Sequence, residues 1–425
     1  MGRSCIMVST KNTNILLDAG VKLGEKIEYP QISEDQLRHM DGIFLSHAHL
    51  DHVGFLPHIY SAGYKGHFFA TKPTIEVSNV MISDYIRLSN PVSVTKKGLA
   101  EQARHSKIVE YYKEFRFRDL SIKFIPAGHI LGSALIEVSD GKSRVAYTGD
   151  ISLSKTRLLE GADVRNITAD TLITESTYAA KRDVFPNEKL VTRDMAKSMK
   201  DTLTAGGKVI VPSFAVGRAQ EVLFLLDDYI NSGVLPKVPV YVDGMINKVM
   251  RIYRHNVIYC RKELQSKILM SDYDPFKSPN FVPVETKGTR NKIVNDQEAA
   301  IIVTTSGMLT GGPVMFYLSK LAKDSLNKML LVGYQAVGTM GRALQEGSKS
   351  IFMNGKEMRI EMNVNTFHLS AHADRPQLES LMNKVKGLQN VMIVHGEISK
   401  SKELREYASR KWEAKVPLIK ESYEV

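Results

Sequence analysis

Short apolar runs that end at a polar, chemically active residue recur through the first part of the chain. The run Gly42-Ile43-Phe44-Leu45 is rich in β-branched and aromatic residues, which favours a buried strand, and a histidine-rich segment follows it. The runs at 144–148 and 171–174 end at Gly149-Asp150 and Glu175 in the same way. Because ligands converge at the carboxyl ends of strands in a sheet with crossover helices, this pattern predicts a site assembled from distant segments.

From about Leu190 the pattern changes to an alternation of strands and helices. Beyond Gly217, apolar residues at 222, 223, 225, 226, 229 and 230 lie on one face of a predicted helix. Apolar strands are predicted at 208–212, 238–242, 299–305 and 329–333. Such alternation is typical of parallel strands joined by crossover helices, so this part is expected to form a doubly wound α/β domain.

The segment Ser46–His52 holds four metal-type ligands: His47, His49, Asp51 and His52. His47 and His49 are two apart, so in an extended segment they point the same way. Imidazoles with one hard oxygen suit zinc. The alternative is a polar loop that happens to be rich in histidine. The chain has only 12 histidines in 425 residues, however, which makes three within six unexpected by chance. The segment predicts a metal site.

Three further candidates have the same context, at or near the end of an apolar strand: His129, Asp150 and His395. Each taken alone has a structural alternative. With the dense segment they make seven ligands, enough for two metals that share a bridging carboxylate. We assign the first metal to His47, His49 and His129, the second to Asp51, His52 and His395, and the bridge to Asp150.

These residues carry a family resemblance. The order His-x-His-x-Asp-His, a lone His, Gly-Asp and a late His resembles the metallo-β-lactamase superfamily. Further motifs narrow the resemblance to the β-CASP nucleases: 174–178 (Thr-Glu-Ser-Thr-Tyr), 212–218 (Pro-Ser-Phe-Ala-Val-Gly-Arg), 306–312 (Ser-Gly-Met-Leu-Thr-Gly-Gly), 333–335 (Gly-Tyr-Gln) and 370–374 (Ser-Ala-His-Ala-Asp). Within that group the chain looks like prokaryotic homologues of the endonuclease subunit of the pre-mRNA cleavage and polyadenylation factor. Ribonuclease J is more distantly similar.

The resemblance implies an αββα metallo-β-lactamase sandwich interrupted by a doubly wound β-CASP domain. The expected domains are 1–179 and 370–425 for the two parts of the core and 180–369 for the insert. We find no appended KH domains, which some archaeal relatives carry. The family usually begins with another strand ahead of the segment that matches Gly2-Arg3-Ser4, whereas this sequence starts at Met1; either the start is misassigned, the sequence is trimmed, or this edge strand is absent.

The resemblance also implies roles for individual residues. Asp18 would organise the ligand loop, His372 would be the general acid, and Glu175 would hold it by a hydrogen bond; with Asp51 these form the expected catalytic set. An imidazole suits this role because its pKa lies near neutrality and a carboxylate fixes its orientation. The implied activity is a ribonuclease with two Zn²⁺ per chain. In it, a hydroxide held by both metals attacks phosphorus.

The positive net charge of the chain favours a polyanionic partner. The net charge is +11 and the pI about 9.3, and residues 180–370 carry 26 Lys/Arg against 18 Asp/Glu. Lys248, Arg251 and Arg254 recur along one face of a probable helix; the alternative is a solvated face without a ligand. Turn residues of the kind that hold phosphates complete the expected RNA contacts: Ser213, Arg218, Ser306, Gly307 and Thr310.

The expected setting is the cytoplasm. No apolar run approaches the length of a membrane span, and the first residues lack the pattern of a secretory signal. Cys5 and Cys260 are too few for a disulfide framework. Single-stranded RNA is the predicted partner, with a homodimer or an RNA-processing complex as further possibilities and no membrane.

Two other classes of protein are alternatives to a ribonuclease. A small-molecule hydrolase, such as a thioesterase or lactamase, uses the same dinuclear core but needs neither a basic insert nor the pair His372 and Glu175. A catalytically dead scaffold would be expected to have lost ligands, whereas all seven are present. The sequence leaves open internal cutting or 5′-to-3′ trimming, RNA sequence preference, and activity on DNA. Six remaining histidines are expected at the surface or in the core: His39, His58, His67, His105, His255 and His368.

Overall fold

The computed structural model describes residues 2–24, 26–271, 273–353 and 355–425. The chain folds as two compact units: unit 1 comprises Met1–Val184 and Ala371–Val425, and unit 2 comprises Phe185–Ser370. The predicted domain boundaries after residues 179 and 369 fall close to the unit boundaries, and they stay predictions about the family's domains. The expected mixed α/β architecture is found.

The first sheet of unit 1 has five strands in the order β1-β2-β3-β4-β5. These are β1 (Ile6–Ser9), β2 (Asn14–Leu17), β3 (Gly42–Phe44), β4 (His67–Ala70) and β5 (Ser106–Ile108). The first two form an antiparallel hairpin, and every other neighbouring pair is parallel. The strand after the hairpin is therefore aligned with β2, so that both end at the same edge of the sheet.

The second sheet of unit 1 has seven strands in the order β20-β19-β10-β9-β8-β7-β6. These are β6 (Phe115–Phe117), β7 (Leu120–Pro126), β8 (Ala134–Ser139), β9 (Arg144–Tyr147), β10 (Thr171–Thr174), β19 (Asn390–Ile393) and β20 (Glu413–Lys415). Strand β10 lies between β9 and β19 and is parallel to both, although β19 comes more than 200 residues later in the chain. The carboxyl ends of these three strands therefore share one edge.

Two core layers flank the sheets and one lies between them. Ile15, Leu17 and Phe44 of the first sheet pack against Phe124 and Tyr147 of the second. Outside the first sheet lie α1 (Glu34–Arg38), α2 (Leu50–Val53), α3 (Leu56–Ser61), α4 (Lys72–Ser89) and α5 (Lys96–Arg104); outside the second lie α13 (Arg375–Lys384) and α14 (Ile398–Ala408). The result is four layers in the order helix, sheet, sheet, helix, because each sheet has one face on the shared core and one on helices. The pattern Ser-x-x-Gln at 33–36 predicts a capping box, and Ser33 and Gln36 do form one at the start of α1.

Unit 2 contains a six-stranded, fully parallel sheet in the order β13-β12-β14-β11-β15-β18. Its strands are β11 (Lys208–Pro212), β12 (Val240–Asp243), β13 (Phe281–Val284), β14 (Ala300–Thr304), β15 (Lys328–Leu331) and β18 (Asn363–Thr366). The hairpin β16 (Ser350–Met353) and β17 (Lys356–Arg359) lies outside this sheet. The four strands predicted from the sequence are all present.

Seven helices of the described residues precede or connect the strands of unit 2. They are α6 (Glu188–Thr204), α7 (Arg218–Asn231), α8 (Ile246–His255), α9 (Lys262–Met270), α10 (Lys287–Asn295), α11 (Val314–Leu321) and α12 (Met340–Gln345). The face packed by α10, α11 and α12 forms one buried cluster with Ile210, Ile302 and Met329. Parallel strands need such crossovers, so the predicted doubly wound architecture is found.

No helix in the described ranges is both long and apolar enough to cross a membrane. Cys5 and Cys260 are both free.

Candidate metal centre

The ligand segment leaves the sheet at the end of β3 and turns directly into a short helix. Residues 45–49 form an irregular connection with bends, His49 is the N-cap residue of α2 and has extended backbone angles, and Asp51 and His52 lie in the first turn of that helix. His47 and His52 are fully buried. The backbone thus changes from strand to helix within the motif, so that ligands from this connection and from a helical turn face one place.

The remaining candidates come from the ends of the second sheet. Asp150 follows β9, Glu175 follows β10 and His395 follows β19, three parallel neighbours. His129 follows β7, which runs in the same direction because two antiparallel pairings separate it from β9. A shared edge therefore brings together residues that lie up to 266 positions apart in the chain, from His129 to His395.

Asp150 lies at the middle of the cluster. Its Oδ2 is 3.5 Å from Nε2 of His47 and 3.7 Å from Nε2 of His129, while its Oδ1 is 3.4 Å from Nε2 of His52 and 3.1 Å from Nδ1 of His395. Each carboxylate oxygen thus faces one predicted ligand set. This is the arrangement that a bridging carboxylate between two ions requires.

The ligand-type atoms fall into overlapping groups. Those of His47, His49, His129 and Asp150 all lie within 4.8 Å of one another, and so do those of Asp51, His52 and His395. In the first group Nδ1 of His49 is 3.1 Å from Nε2 of His129, close to the roughly 3.3 Å that separates two nitrogens on one tetrahedral zinc. A third group joins Asp150, Glu175 and His395. The two predicted sets are therefore brought together in space.

Asp18 organises the segment from beneath. Its backbone has φ +62°, a conformation that asparagine and aspartate adopt more readily than other non-glycine residues, and its side chain is fully buried. The Oδ1 atom accepts from the amide of Ser46 at 2.6 Å. The Oδ2 atom accepts from Ser46 Oγ at 2.7 Å, His52 Nδ1 at 2.6 Å and Tyr147 OH at 2.6 Å. One carboxylate thus ties the ligand loop to β9.

These hydrogen bonds determine which ring nitrogens face the cluster. Nδ1 of His52 donates to Asp18, and Nδ1 of His129 donates to the carbonyl oxygen of Ala371 at 2.7 Å. Nδ1 of His47 lies 3.0 Å from Ser46 Oγ, whose own proton goes to Asp18. In all three rings Nε2 is left as the lone-pair nitrogen that points at the other ligands, the usual arrangement of histidines that bind metal.

A test of fit comes from atoms that the protein itself does not satisfy. Nε2 of His47, His49 and His52 is buried and makes no hydrogen bond to any described residue. Buried polar atoms without partners are rare, because each costs about 1–3 kcal/mol. Neutral imidazole nitrogens and carboxylate oxygens are the donors that zinc and similar divalent ions take. The residues present therefore fit a divalent metal.

The pKa values of the histidines differ between the two ligand sets. Burial lowers the pKa of His47, His49 and His129, so these rings are neutral and able to bind metal. Burial also opposes the protonation of His52 and His395, but the negative charge of Asp150 outweighs it and raises the pKa of His395 to about 10. In the absence of metal these two rings therefore hold a proton, which a bound cation would displace.

His372 stands at the rim of the cluster and is held by Glu175. Its Nδ1 donates to Glu175 Oε2 at 2.9 Å and lies 3.9 Å from Asp150 Oδ2. Its ring centre is 4.6 Å from that of His129. Burial opposes the charged form, yet Glu175 and Asp150 raise the pKa of His372 above its usual value. A fully buried Glu175, which also accepts from the amide of Ile151 at 2.7 Å, fixes the orientation of the imidazole.

The residues predicted to contact RNA lie in unit 2, at different depths. Ser213 is buried and its hydroxyl donates to Val211, whereas Thr310 is exposed and its amide donates to Ser306 Oγ at 3.0 Å. Gly307 is buried against the backbone of Ser213 and Phe214. Arg218 begins α7. These five positions lie at the carboxyl ends of β11 and β14.

The basic stripe of α8 differs from its expectation in one member. Lys248 and Arg251 are exposed, as a stripe on one helix face requires. Arg254 is half-buried, and its Nε donates to Asp274 Oδ2 at 2.5 Å. Its charge is neutralised within the protein, because the loop after α9 brings a carboxylate to it.

Sequence reasoning did not find Ser46 or Tyr147, which both bind Asp18. Ser46 directly precedes His47, so its position was the available signal. Tyr147 ends an apolar strand, where a tyrosine is equally consistent with core packing.

Family models match the chain in three consecutive segments. Residues 7–178 match the "Metallo-beta-lactamase superfamily domain", 219–344 the "Beta-Casp domain" and 357–417 the "Zn-dependent metallo-hydrolase RNA specificity domain". A relative from Methanothermobacter thermautotrophicus, named transcription termination factor FttA, is 35% identical over 100% of this chain and 70% of its own length. The chain belongs to the β-CASP family of the metallo-β-lactamase superfamily.

Other β-CASP relatives carry the same name. Those of Methanocaldococcus jannaschii and Pyrococcus abyssi are 36% and 35% identical over 94% and 97% of this chain, and 66% and 67% of their own lengths. The chain spans about two thirds of the length of these relatives. A solved structure of a protein of unknown function from Enterococcus faecalis has a TM-score of 0.60 at 14% identity, covering 99% of this chain and 96% of that one, so it shares the fold.

Membership explains the cluster in chemical terms. The superfamily fold implies binding of a divalent metal, and the His and Asp side chains described above form a cluster that could hold one. The protein is a metal-dependent hydrolase of this family.

Proposed function

We propose that this protein is a zinc-dependent ribonuclease that hydrolyses phosphodiester bonds of single-stranded RNA. The observation that carries the proposal is the position of His372. Its ring is fixed by Glu175 at 2.9 Å, at the rim of a cluster of seven metal-type ligands. A small-molecule hydrolase that activates water on its metals needs no proton donor held in this way.

The proposed metals are two Zn²⁺, bound as the two ligand sets with Asp150 between them. The support is the donor set of imidazoles and carboxylates, the unsatisfied Nε2 atoms, and the family model described as zinc-dependent. When bound, two such ions lower the pKa of a shared water and stabilise negative charge on a phosphodiester.

The residues of the chain supply the rest of the proposed reaction. His372, whose pKa is raised by Glu175 and Asp150, holds a proton that it gives to the departing ribose oxygen. Glu175 keeps Nδ1 of His372 as donor, which leaves Nε2 as the atom that transfers the proton. Asp18 keeps His52 in the tautomer that presents Nε2 to the cluster. Asp51 is the third member of the proposed catalytic set, and its Oδ2 lies 3.2 Å from Nε2 of His395.

RNA as the substrate is supported by charge and by the family model. Residues 180–370 carry most of the excess positive charge, and residues 357–417 match a domain described by its RNA specificity. The relatives are named transcription termination factors. We therefore propose a transcript as the RNA and its processing or termination as the setting, within a cytoplasmic complex. A homodimer stays a prediction.

The test is cleavage of one RNA that carries a 5′ label and a separate internal label. The variants His372→Ala and Glu175→Gln and a chelated sample are compared with zinc-loaded wild type. His368→Ala is the matched control, because His368 is exposed and four residues from His372. We expect cleavage to disappear on chelation, to fall about 10²–10⁴-fold in His372→Ala, and to be unchanged in His368→Ala.

The products decide the mode of cutting. Internal fragments establish an endonuclease, and mononucleotides released from a 5′-phosphorylated end establish 5′-to-3′ trimming. A single-stranded DNA of the same sequence measures the choice of sugar. Zinc-loaded wild type that leaves RNA intact but hydrolyses a thioester or a β-lactam would make the protein a small-molecule hydrolase. Binding of RNA without any hydrolysis would make it a scaffold.

A further inference from the structure

The sheet of unit 2 has a topological switch point between β12 and β14. From β12 the chain continues outward to β13, whereas from β14 it continues in the opposite direction, past β11, to β15. Doubly wound proteins bind ligands in the crevice outside the carboxyl ends of two such strands. Here the two strand ends lie close together, since a Cβ atom on Gly244 would come within 2.3 Å of Thr305 Oγ1.

An arginine is fixed at this crevice by a buried carboxylate. Asp243, the last residue of β12, is fully buried. Its Oδ2 accepts from Arg290 Nε at 2.7 Å, and its Oδ1 accepts from Arg290 Nη2 at 2.8 Å. Tyr317 OH donates to the same Oδ2 at 2.8 Å. Two parallel hydrogen bonds between the fork of an arginine and a carboxylate fix the plane of the guanidinium, which a lysine would not do.

The Arg290 side chain is not fully enclosed by these contacts. It is 21% exposed, whereas the Asp243 side chain is 0% exposed. A buried ion pair contributes little net stability, because removing both charges from water costs several kcal/mol per ion. An arginine that has five donors and gives two of them to Asp243 can still present its outer edge to an anion.

Other cations surround the same edge. Lys287 is the first residue of α10 and Lys248 lies in the first turn of α8; both are exposed and neither makes an ion pair within the described residues. Glu285, two residues before Lys287, is also exposed, and Asp243, five residues before Lys248, is paired with Arg290. Among the described residues, the two lysines against one unpaired glutamate leave a net positive charge where β12 and β13 end.

We infer that Arg290 anchors a phosphate subsite at the β12–β14 switch point, which takes one phosphodiester group of the RNA chain. The inference rests on the proposed ribonuclease function and adds a residue of unit 2 that positions the substrate. Asp243 and Tyr317 serve to hold the guanidinium in advance, so that little side-chain entropy is lost when the phosphate binds.

Binding of a fluorescent single-stranded RNA tests the inference. Anisotropy is measured over a range of salt concentrations on zinc-loaded protein in the His372→Ala background. We expect Arg290→Gln to weaken binding about 10-fold and to lower the slope of log K against log salt by about 0.7, the value for one phosphate contact on a single strand. Arg290→Lys should keep the slope but bind RNA about threefold more weakly, because the charge remains and the fork is lost.

Two controls separate binding from folding. Lys323→Gln removes the same charge at an exposed position beyond the carboxyl end of α11, and it should leave the slope unchanged. The double variant Asp243→Asn/Arg290→Gln removes the buried charge together with its partner, so it should melt near wild type and still bind weakly. If both Arg290→Gln and the double variant keep wild-type affinity and slope, the inference is wrong.

Kinetics and competition separate this inference from the proposed function. In an otherwise wild-type chain, Arg290→Gln should raise KM about 10-fold and leave kcat within twofold. If wild type does not cut RNA, the proposed function fails while the binding result stands. If wild type cuts RNA and Arg290→Gln has an unchanged KM, only this inference fails. Competition with inorganic phosphate or AMP at concentrations near those of the RNA would mean a small-anion site and would overturn the assignment to RNA.

Discussion

Asp18 is the side chain on which the geometry of the ligand loop depends most. It binds the loop at Ser46 and at His52, and it reaches β9 through Tyr147. We predict that Asp18→Asn lowers metal affinity about 10- to 100-fold, because the amide no longer accepts the proton of His52 Nδ1 as a carboxylate does. The measurement is competition for zinc with a chromophoric chelator.

Asp119→Asn is the matched control for this substitution. Asp119 also accepts hydrogen bonds from two hydroxyl groups, those of Thr10 and Thr13, but it lies outside the metal cluster. Its substitution should leave the zinc affinity unchanged. Equal zinc affinities for Asp18→Asn and wild type would show that Asp18 holds the loop without influencing the metal.

His58 makes the stability of unit 1 depend on pH. Burial lowers its pKa to about 4 in the folded protein, from the usual value near 6.5. On acidification the unfolded chain therefore binds this proton first, so the stabilising contribution is complete above about pH 6.5 and is lost as the pH falls towards 4. We expect a loss of about 1–2 kcal/mol in the free energy of unfolding over this window.

Denaturant unfolding at several pH values measures that effect. His58→Gln should be less stable than wild type at pH 7, because Ser93 and Tyr85 lose their partner, but the difference should shrink towards pH 4. His39→Gln, at an exposed position, should follow the wild-type curve at every pH. A difference between His58→Gln and wild type that stays constant with pH would contradict the prediction.

The dense ligand segment could be predicted from the sequence because its chemistry is local. Four of the ligands, His47, His49, Asp51 and His52, fall within six consecutive positions, so their proximity can be predicted without knowing the fold. Ser46 and Tyr147 could not be assigned, since their role comes from contact with Asp18, which only the folded chain creates. The same holds for Arg290 and Asp243, which are 47 residues apart.

The turns after the strands are as important as the ligands that they carry. Gly149 has φ +53° and precedes Asp150, and a Cβ atom there would come within 2.6 Å of both Cβ and Oγ of Ser46. Gly149→Ala should therefore destabilise the fold by about 2–3 kcal/mol, through the strained backbone and the displaced Ser46. It should also weaken zinc binding, because Ser46 is part of the Asp18 network.

Gly141→Ala separates these two causes. Gly141 also has a positive φ, +90°, but a Cβ atom there would have nothing within 4 Å. This variant should lose only about 1 kcal/mol and keep the wild-type zinc affinity. Thermal melts and chelator competition on both variants measure the difference. Equal losses in the two variants would mean that contact with Ser46 is unimportant.

Strands and helices with a clear hydrophobic pattern could be predicted from the sequence, whereas contacts between distant residues could not. The four apolar runs of unit 2 are strands, and the box at Ser33 and Gln36 opens a helix, because these signals lie within a few residues. Arg254 shows the limit. Its helical spacing placed it correctly on α8, but its pairing with Asp274 depends on a loop 20 residues away.

Removal of metal should lower the thermal stability of unit 1 and leave that of unit 2 unchanged. The ligands of the centre come from the ends of β3, β7, β9 and β19, all in unit 1, so bound metal joins elements from both of its sheets. Zinc at 100 times its Kd stabilises the folded state by about 2.7 kcal/mol. Calorimetry with and without a chelator should therefore show one transition that moves to lower temperature and a second that stays. A single transition that moves as a whole would show that the units unfold together.

The division into an interrupted sandwich and an inserted domain followed from the family resemblance and not from physical pattern alone. Nothing local in residues 390–394 says that this strand pairs with 171–174. Composition and alternation favoured a doubly wound region after Leu190, yet the return of the chain to the first sheet could be expected only because the motifs resembled a known family. Long-range parallel pairing leaves no periodic signal in either partner strand.

The late position of β19 in the chain also affects when the ligands become available during synthesis on the ribosome. Asp51 and His395 are 344 residues apart, and synthesis at about 5–20 residues per second separates them by about 17–70 s. From residue 150 onward the emerging polypeptide carries six of the seven predicted ligands and lacks only His395. The second metal set, with Asp51 and His52 made early, is completed only when His395 follows. The second proposed metal site therefore cannot form until the chain is almost complete.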